Sequence, residues 1–184
     1  MNIFLLHLQW FIIVSLPALL WTLAFHYGPV VNKMIKYDTI KLFFILLRPL
    51  TALSTIVLLY GIEYHTWDLT LWVSPPFFVF IGTALIAFGT WINYLVYQRI
   101  GTDGVYYACE LTGKCKRSSE FPYNYTYHPM YYASIVILVG VISAIGIKED
   151  LSIRFNVVYA MSYIIAMYAL SINIESYPPA LKHE

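Results

Sequence analysis

Long apolar runs alternate with short polar stretches along this chain, and the alternation sets the first expectation. Five apolar segments stand out, at about 3–27, 42–61, 75–97, 130–147 and 155–174. Each is close to the roughly 20 residues that a helix needs to cross ~30 Å of hydrocarbon. Isolated strands leave backbone polar groups unsatisfied in lipid, so every segment is predicted to be helical. The fourth and fifth are predicted to form a tight hairpin around residues 148–154. The expected fold is therefore all-α, a multi-pass transmembrane helical bundle. No internal repeat or low-complexity linker divides the chain, so residues 1–184 are expected to form a single domain.

Composition strengthens this picture. Of 184 residues, 60% are hydrophobic and 11% charged, against about 25% charged in typical soluble proteins. A mean hydropathy of +0.67 leaves too little polar surface to cover a water-soluble globule. A net charge of +1 offers no basic face for nucleic acid. Cys109 and Cys115 lie in one polar stretch, and no second Cys or His cluster completes a zinc site. They are expected to be free thiols in a reducing compartment, and no metal is expected. The N-terminal run lacks a basic region and is too long for a signal core, so it is expected to remain as the first span. The ending "PPALKHE" matches no receptor-read retention signal.

Basic residues predict the orientation. Eight lie in 28–41, 98–128 and the tail after 174, against two, Lys148 and Arg154, on the opposite side, with Arg48 inside the second span. The N-terminus is expected outside, with the 98–128 stretch and the C-terminal tail together in the cytosol. Asn124-Tyr125-Thr126 spells a glycosylation sequon, expected to stay unmodified on that face.

Several polar residues are candidates for chemistry. Arg48, inside a span, reads either as a snorkelling side chain or as the partner of a lipid phosphate. The 98–128 stretch holds Asp103, Glu110, Glu120 and His128, with Gly101 and Gly104 permitting a turn or close approach to a ligand. "FPYNYTYHPMYY" packs five tyrosines, a His-Pro pair and two prolines against the edge of a span. Tyr123, Tyr125 and Tyr127 fit an interfacial aromatic belt. Glu175 closes the last span, where the negative end of the helix disfavours a carboxylate. A plain solvated helix end and the binding of a cationic ligand are both open for it.

Taken together, "IGTDGVYYACELTGK", "EFPYNYTYHPMYYASIVILVG" and "NIESY" resemble the phospholipid N-methyltransferases of the phosphatidylethanolamine N-methyltransferase type. The likeness covers about 80–177. It implies an integral membrane enzyme that uses S-adenosyl-L-methionine, without a metal, to methylate the amine of phosphatidylethanolamine or its mono- and dimethyl forms. The lipid substrate would come from the bilayer, the membrane would be that of the endoplasmic reticulum, and the site would face the cytosol.

By position, the family's Gly-x-Gly falls on Ala87-Phe88-Gly89 and its Glu-Glu pair on Glu175-Ser176, as donor-binding places. Ala87 replaces the first Gly and Ser176 the second Glu. Ala133 stands where a glycine usually follows Pro-x-Tyr-x. The acceptor ammonium must lose a proton before attack. His128, with an ordinary pKa near 6.5, suits a general base, and Glu120 is the alternate. A capping or packing role for His128 is equally open. Gly101, Gly104, Tyr123, Tyr127, Pro129, Tyr131 and Arg99 are the expected lipid-binding residues. The tyrosines would wall a methylated ammonium, while Arg99, with Lys114, Lys116 and Arg117, would hold the phosphate. Two competitors remain: an isoprenylcysteine carboxyl methyltransferase-like enzyme and a non-catalytic membrane scaffold. Residue patterns set no oligomeric state.

Overall fold

A computed structural model describes residues 3–61, 74–113, 118–145 and 151–175. It holds six helices: α1 (Ile3–Met34), α2 (Tyr37–Gly61), α3 (Pro76–Val105), α4 (Ala108–Thr112), α5 (Pro129–Ile145) and α6 (Leu151–Glu175). No strand occurs among the described residues. The five apolar segments are the five long helices, and α4 is an addition that its polar sequence does not announce.

Among the described residues, two helices are long and apolar enough to cross a bilayer, His7–Met34 and Pro76–Thr112, with Pro129–Ala144 shorter but also apolar. Large apolar side chains point outward along the bundle, Leu19 at 61% and Phe80 at 75% exposure among them. An outward apolar surface on this scale is what hydrocarbon covers and water does not.

The first helix runs past its expected end because it bends instead of stopping. Tyr27 leaves helical geometry (φ −122°, ψ 23°) two residues before Pro29. Proline lacks the N–H for its i−4 carbonyl and crowds that carbonyl with its ring, which is a sufficient cause of the kink. The third helix is interrupted at Gly101, whose φ of 71° only glycine adopts freely.

α3 and α5 pack through small residues. A Cβ added at Gly82 would lie 2.5 Å from the Gly140 oxygen, and one at Gly89 would lie 2.7 Å from the Ala133 oxygen. Removing side chains at these positions lets the two backbones touch. At the opposite side of the bundle, Trp10 of α1 is buried against Ala160 of α6, with Tyr163 beside it.

The main core gathers at one end of the bundle. Ala24, Ile40, Phe44, Leu47, Val96, Val105, Tyr106 and Leu111 are buried together there. Lys41 Nζ bonds Asp103 Oδ1 at 2.6 Å, and Tyr37 Oη donates to the same oxygen at 3.1 Å, tying the start of α2 to the end of α3. The end of α6 meets the start of α5 at this same end, as a hairpin requires. Its connection, 146–150, lies outside the described residues.

Gly28, just after the α1 kink, is where α4 comes closest. A Cβ there would fall 2.0 Å from the Glu110 carbonyl oxygen, a backbone atom that cannot rotate away. Gly28→Ala is expected to cost about 1–3 kcal/mol through overpacking. Thermal unfolding in detergent reads this as a Tm lower by several degrees. An unchanged Tm would mean that α1 and α4 do not touch at this point.

Candidate active site

The tyrosine-rich stretch ends in a helix start whose local geometry explains its residues. Pro129 occupies the first helical position, where its missing N–H costs nothing and its fixed φ suits the helix. The carbonyl of His128 accepts the N–H of Tyr131 at 3.1 Å, and the His128 N–H donates to Thr126 Oγ1 at 3.3 Å. His128 is thereby held at the helix entrance. Tyr131 lies three residues on, which places it on the same face. The two rings stack at 5.9 Å with an interplanar angle of 23°.

That face meets the end of α6. His128 Nδ1 is 3.4 Å from Glu175 Oε2, and the two side chains are only 15% and 11% exposed. Tyr131 Oη donates to Glu175 Oε1 at 2.5 Å, and Tyr107 Oη donates to the same oxygen. The two phenols also lie 2.7 Å apart. A carboxylate at a helix C-terminus is disfavoured by roughly 0.3–1 kcal/mol. Two phenolic donors and an imidazole more than offset this, since hydrogen bonds to charged groups contribute about 1.5–3 kcal/mol each.

Tyr107 reaches Glu175 through an unusual turn. Its φ of 61° is left-handed, a region uncommon for a residue other than glycine. The turn sends neighbouring rings to different partners: Tyr106 lies under the Arg48 guanidinium, while Tyr107 points to Glu175. Further rings enclose the cluster. Trp21 is 6.3 Å from Tyr131, Tyr168 is 5.7 Å from it, and Phe44 is 6.2 Å from Tyr107, measured between centroids.

The expected site residues divide accordingly. His128, Pro129, Tyr131 and Glu175 converge. Glu120, the alternate base, is exposed at the surface and forms an ion pair with Arg99, which also donates from Nε to the Phe121 carbonyl at 3.4 Å. Arg99 is thus already matched by a carboxylate. Tyr127 is 91% exposed and stands away from the cluster, whereas Tyr123 packs inward on the main core, where burial pushes its phenol up to about 12. The rings around Glu175 are those of Trp21, Phe44, Tyr107, Tyr131 and Tyr168.

Ala87 and Phe88 are exposed, and Gly89 is buried against Ala133 and Ile137 of α5, so the small residue at 89 serves helix packing. Gly101 shapes the α3 interruption, and Gly104 lies under the Ile100 side chain. Ser176, Lys114, Lys116 and Arg117 fall outside the described residues. Cys109 is disulfide-bonded, which corrects the expectation of free thiols. Arg48 turns toward α3, where its Nη1 donates to Tyr97 Oη at 2.7 Å.

Tyr107, Trp21, Phe44 and Tyr168 were not expected. Tyr168 alone carried a usable signal, since it precedes Glu175 by seven residues, two helical turns, and so shares its face.

The chain belongs to the phospholipid methyltransferase family, whose pattern matches residues 77–175, the stretch that contributes Tyr107, His128, Tyr131 and Glu175. It is 27% identical over 97 residues to the phosphatidyl-N-methylethanolamine N-methyltransferase of Arabidopsis thaliana. That match covers 53% of this chain and 53% of the relative, about half the length of each. No solved structure matches the chain.

Proposed function

We propose that this protein is a single-domain integral membrane enzyme that uses S-adenosylmethionine to methylate the amine of phosphatidylethanolamine, or of its mono- and dimethyl forms, toward phosphatidylcholine. The observation that carries this is the partly buried His128–Glu175 contact, framed by phenols and rings, in a chain of this family. The name of the Arabidopsis relative supports an ethanolamine headgroup as the acceptor.

The residues fit the donor by their chemistry. A carboxylate offers about four acceptor directions. Glu175 Oε1 uses two for Tyr107 and Tyr131, and among the described residues Oε2 faces only His128, so Oε2 retains capacity for a ribose hydroxyl or an ammonium. When bound, S-adenosylmethionine supplies an electrophilic methyl on a sulfonium. Everything else falls to the chain. Glu175 opposite Nδ1 favours the tautomer that carries the proton there, leaving His128 Nε2 free to take a proton from the acceptor ammonium. Tyr131 and Tyr107 hold the carboxylate in place. The surrounding rings exclude water and face the ammonium with π-density, each good contact contributing about 0.5–2 kcal/mol.

The test is lipid extraction after incubating the protein in nanodiscs with labelled donor. Label in N-methylated phospholipid is expected. Label released by mild base as a methyl ester would point to carboxyl methylation instead.

The proposed orientation puts the site on the cytosolic face of the endoplasmic reticulum, supported by the basic residues of 28–41 and 98–128. The disulfide-bonded Cys109 pulls the other way, because disulfides are rare in the cytosol. The sequon offers a test of the orientation, since Asn124 and Tyr125 are exposed. After expression in eukaryotic cells, glycosidase treatment is expected to leave the protein's mobility unchanged. A glycosidase-sensitive shift would place this end of the bundle in the lumen.

A further inference from the structure

Arg48 is a charge with no role so far. It sits in α2, where the neighbouring Leu46, Leu50 and Leu53 are exposed apolar side chains. An ionised group among such residues is costly and marks function by default. Its guanidinium is turned into the bundle. Nη1 donates to Tyr97 Oη at 2.7 Å, Nη2 approaches Met130 Sδ at 3.6 Å, and the carbon centre lies 5.0 Å from the Tyr106 ring. All three partners are neutral, and among the described residues no carboxylate pairs with it. Two other cations at this end are paired: Lys41 with Asp103 and Arg99 with Glu120.

Asn93 precedes Tyr97 by one turn of α3, on the same face. Its side-chain oxygen is buried without a hydrogen-bond partner among the described residues. Turning the amide over presents its NH2 group instead, a donor one helical turn from the tyrosine that Arg48 bonds.

Position completes the case. Tyr106 and Met130 touch Arg48, while their chain neighbours Tyr107 and Tyr131 bond Glu175. The cationic centre and the carboxylate–imidazole centre are therefore joined through two pairs of adjacent residues, Tyr106–Tyr107 and Met130–Tyr131. An acceptor whose amine and phosphate are separated by two carbons carries its charges in the matching order.

We propose that Arg48, with Asn93 and Tyr97, recognises an oxyanion of the bound substrates: the phosphodiester of the acceptor lipid or the carboxylate of the donor. This rests on the methyltransferase function proposed above. Planar, bidentate recognition of such groups is what a guanidinium does best.

The experiment compares wild type, Arg48→Gln and Arg48→Lys, each full length in mixed micelles. The acceptors are phosphatidyl-N-methylethanolamine and an ether-linked analogue with the same chains and amine but no phosphate. The donors are S-adenosylmethionine and its decarboxylated form. Stabilisation (rise in Tm on ligand addition) and KM are measured for each.

For a phosphodiester, Arg48→Gln raises the KM of the phospholipid about tenfold or more, abolishes its extra stabilisation and leaves the phosphate-free analogue unchanged. Arg48→Lys restores part of the difference. For the donor carboxylate, the same discrimination is lost between the two donors instead. Equal changes for all four ligands, or none, would overturn the proposal and leave Arg48 as a pin between helices. Should Arg48→Gln fail to fold, Arg48→Lys gives the same comparisons with the charge kept and the fork removed. If wild type methylates no phospholipid, the proposed function falls, while the stabilisation data still decide whether Arg48 reads an anion.

Discussion

Glu175→Gln is expected to weaken donor binding about ten- to a hundredfold and to lower turnover as well, with insertion and expression unchanged. The side chain keeps its shape and loses its charge. A charge-assisted hydrogen bond contributes about 1.5–3 kcal/mol, which sets the size of the affinity loss. The amide must also replace a carboxylate that accepts from Tyr107 and Tyr131 and faces His128 Nδ1. Its NH2 end has donors where those partners also donate, so at least one contact is lost. Titration calorimetry with the donor measures the first effect, and steady-state methylation of phosphatidyl-N-methylethanolamine measures the second. Wild-type donor affinity with wild-type turnover would remove the end of α6 from the site.

His128→Gln should separate the two roles. Its effect is expected in kcat, lower by about 10²–10⁴, the usual contribution of a positioned general base. Donor affinity should change little, because Glu175 and not the imidazole carries the acceptor oxygens. Glutamine keeps a polar group at the helix entrance, and the cap made by the His128 backbone carbonyl is untouched. A loss confined to stability, with kcat preserved, would return His128 to a structural role at the start of α5.

Much of this arrangement was legible in the residues. Apolar runs gave the five long helices, because in lipid the backbone has so few ways to satisfy itself. His128 and Glu175 were legible as chemistry because each sits where packing alone does not want it: an imidazole beside a proline at a span edge, and a carboxylate on the negative end of a helix. Their contact was not legible. It joins positions 47 residues apart through the α5–α6 hairpin.

Tyr107 was hidden for a different reason. Its direction follows from a left-handed turn that a tyrosine seldom adopts. Where Glu120 and Tyr127 point was not legible, because residue type says nothing of direction. Both belong to the same polar stretch as His128, yet one pairs with Arg99 at the surface and the other is exposed. At Gly89 the residue left two uses open, because a bare backbone serves a ligand and a neighbouring helix equally well, and α5 lies against it. The kink at Tyr27 and the close approach of α4 to Gly28 depend on packing between distant parts of the chain, which no local pattern encodes.

The central claim is that the carboxylate–imidazole cluster at the end of α6 receives a methyl donor. Calorimetry on the detergent-solubilised wild-type protein tests it most directly, by titration with S-adenosylmethionine and, separately, with S-adenosylhomocysteine. Saturable heat with both ligands, weakened in Glu175→Gln, is the predicted result. No heat from either ligand in a folded wild-type protein would contradict the account and leave a membrane scaffold that binds no donor.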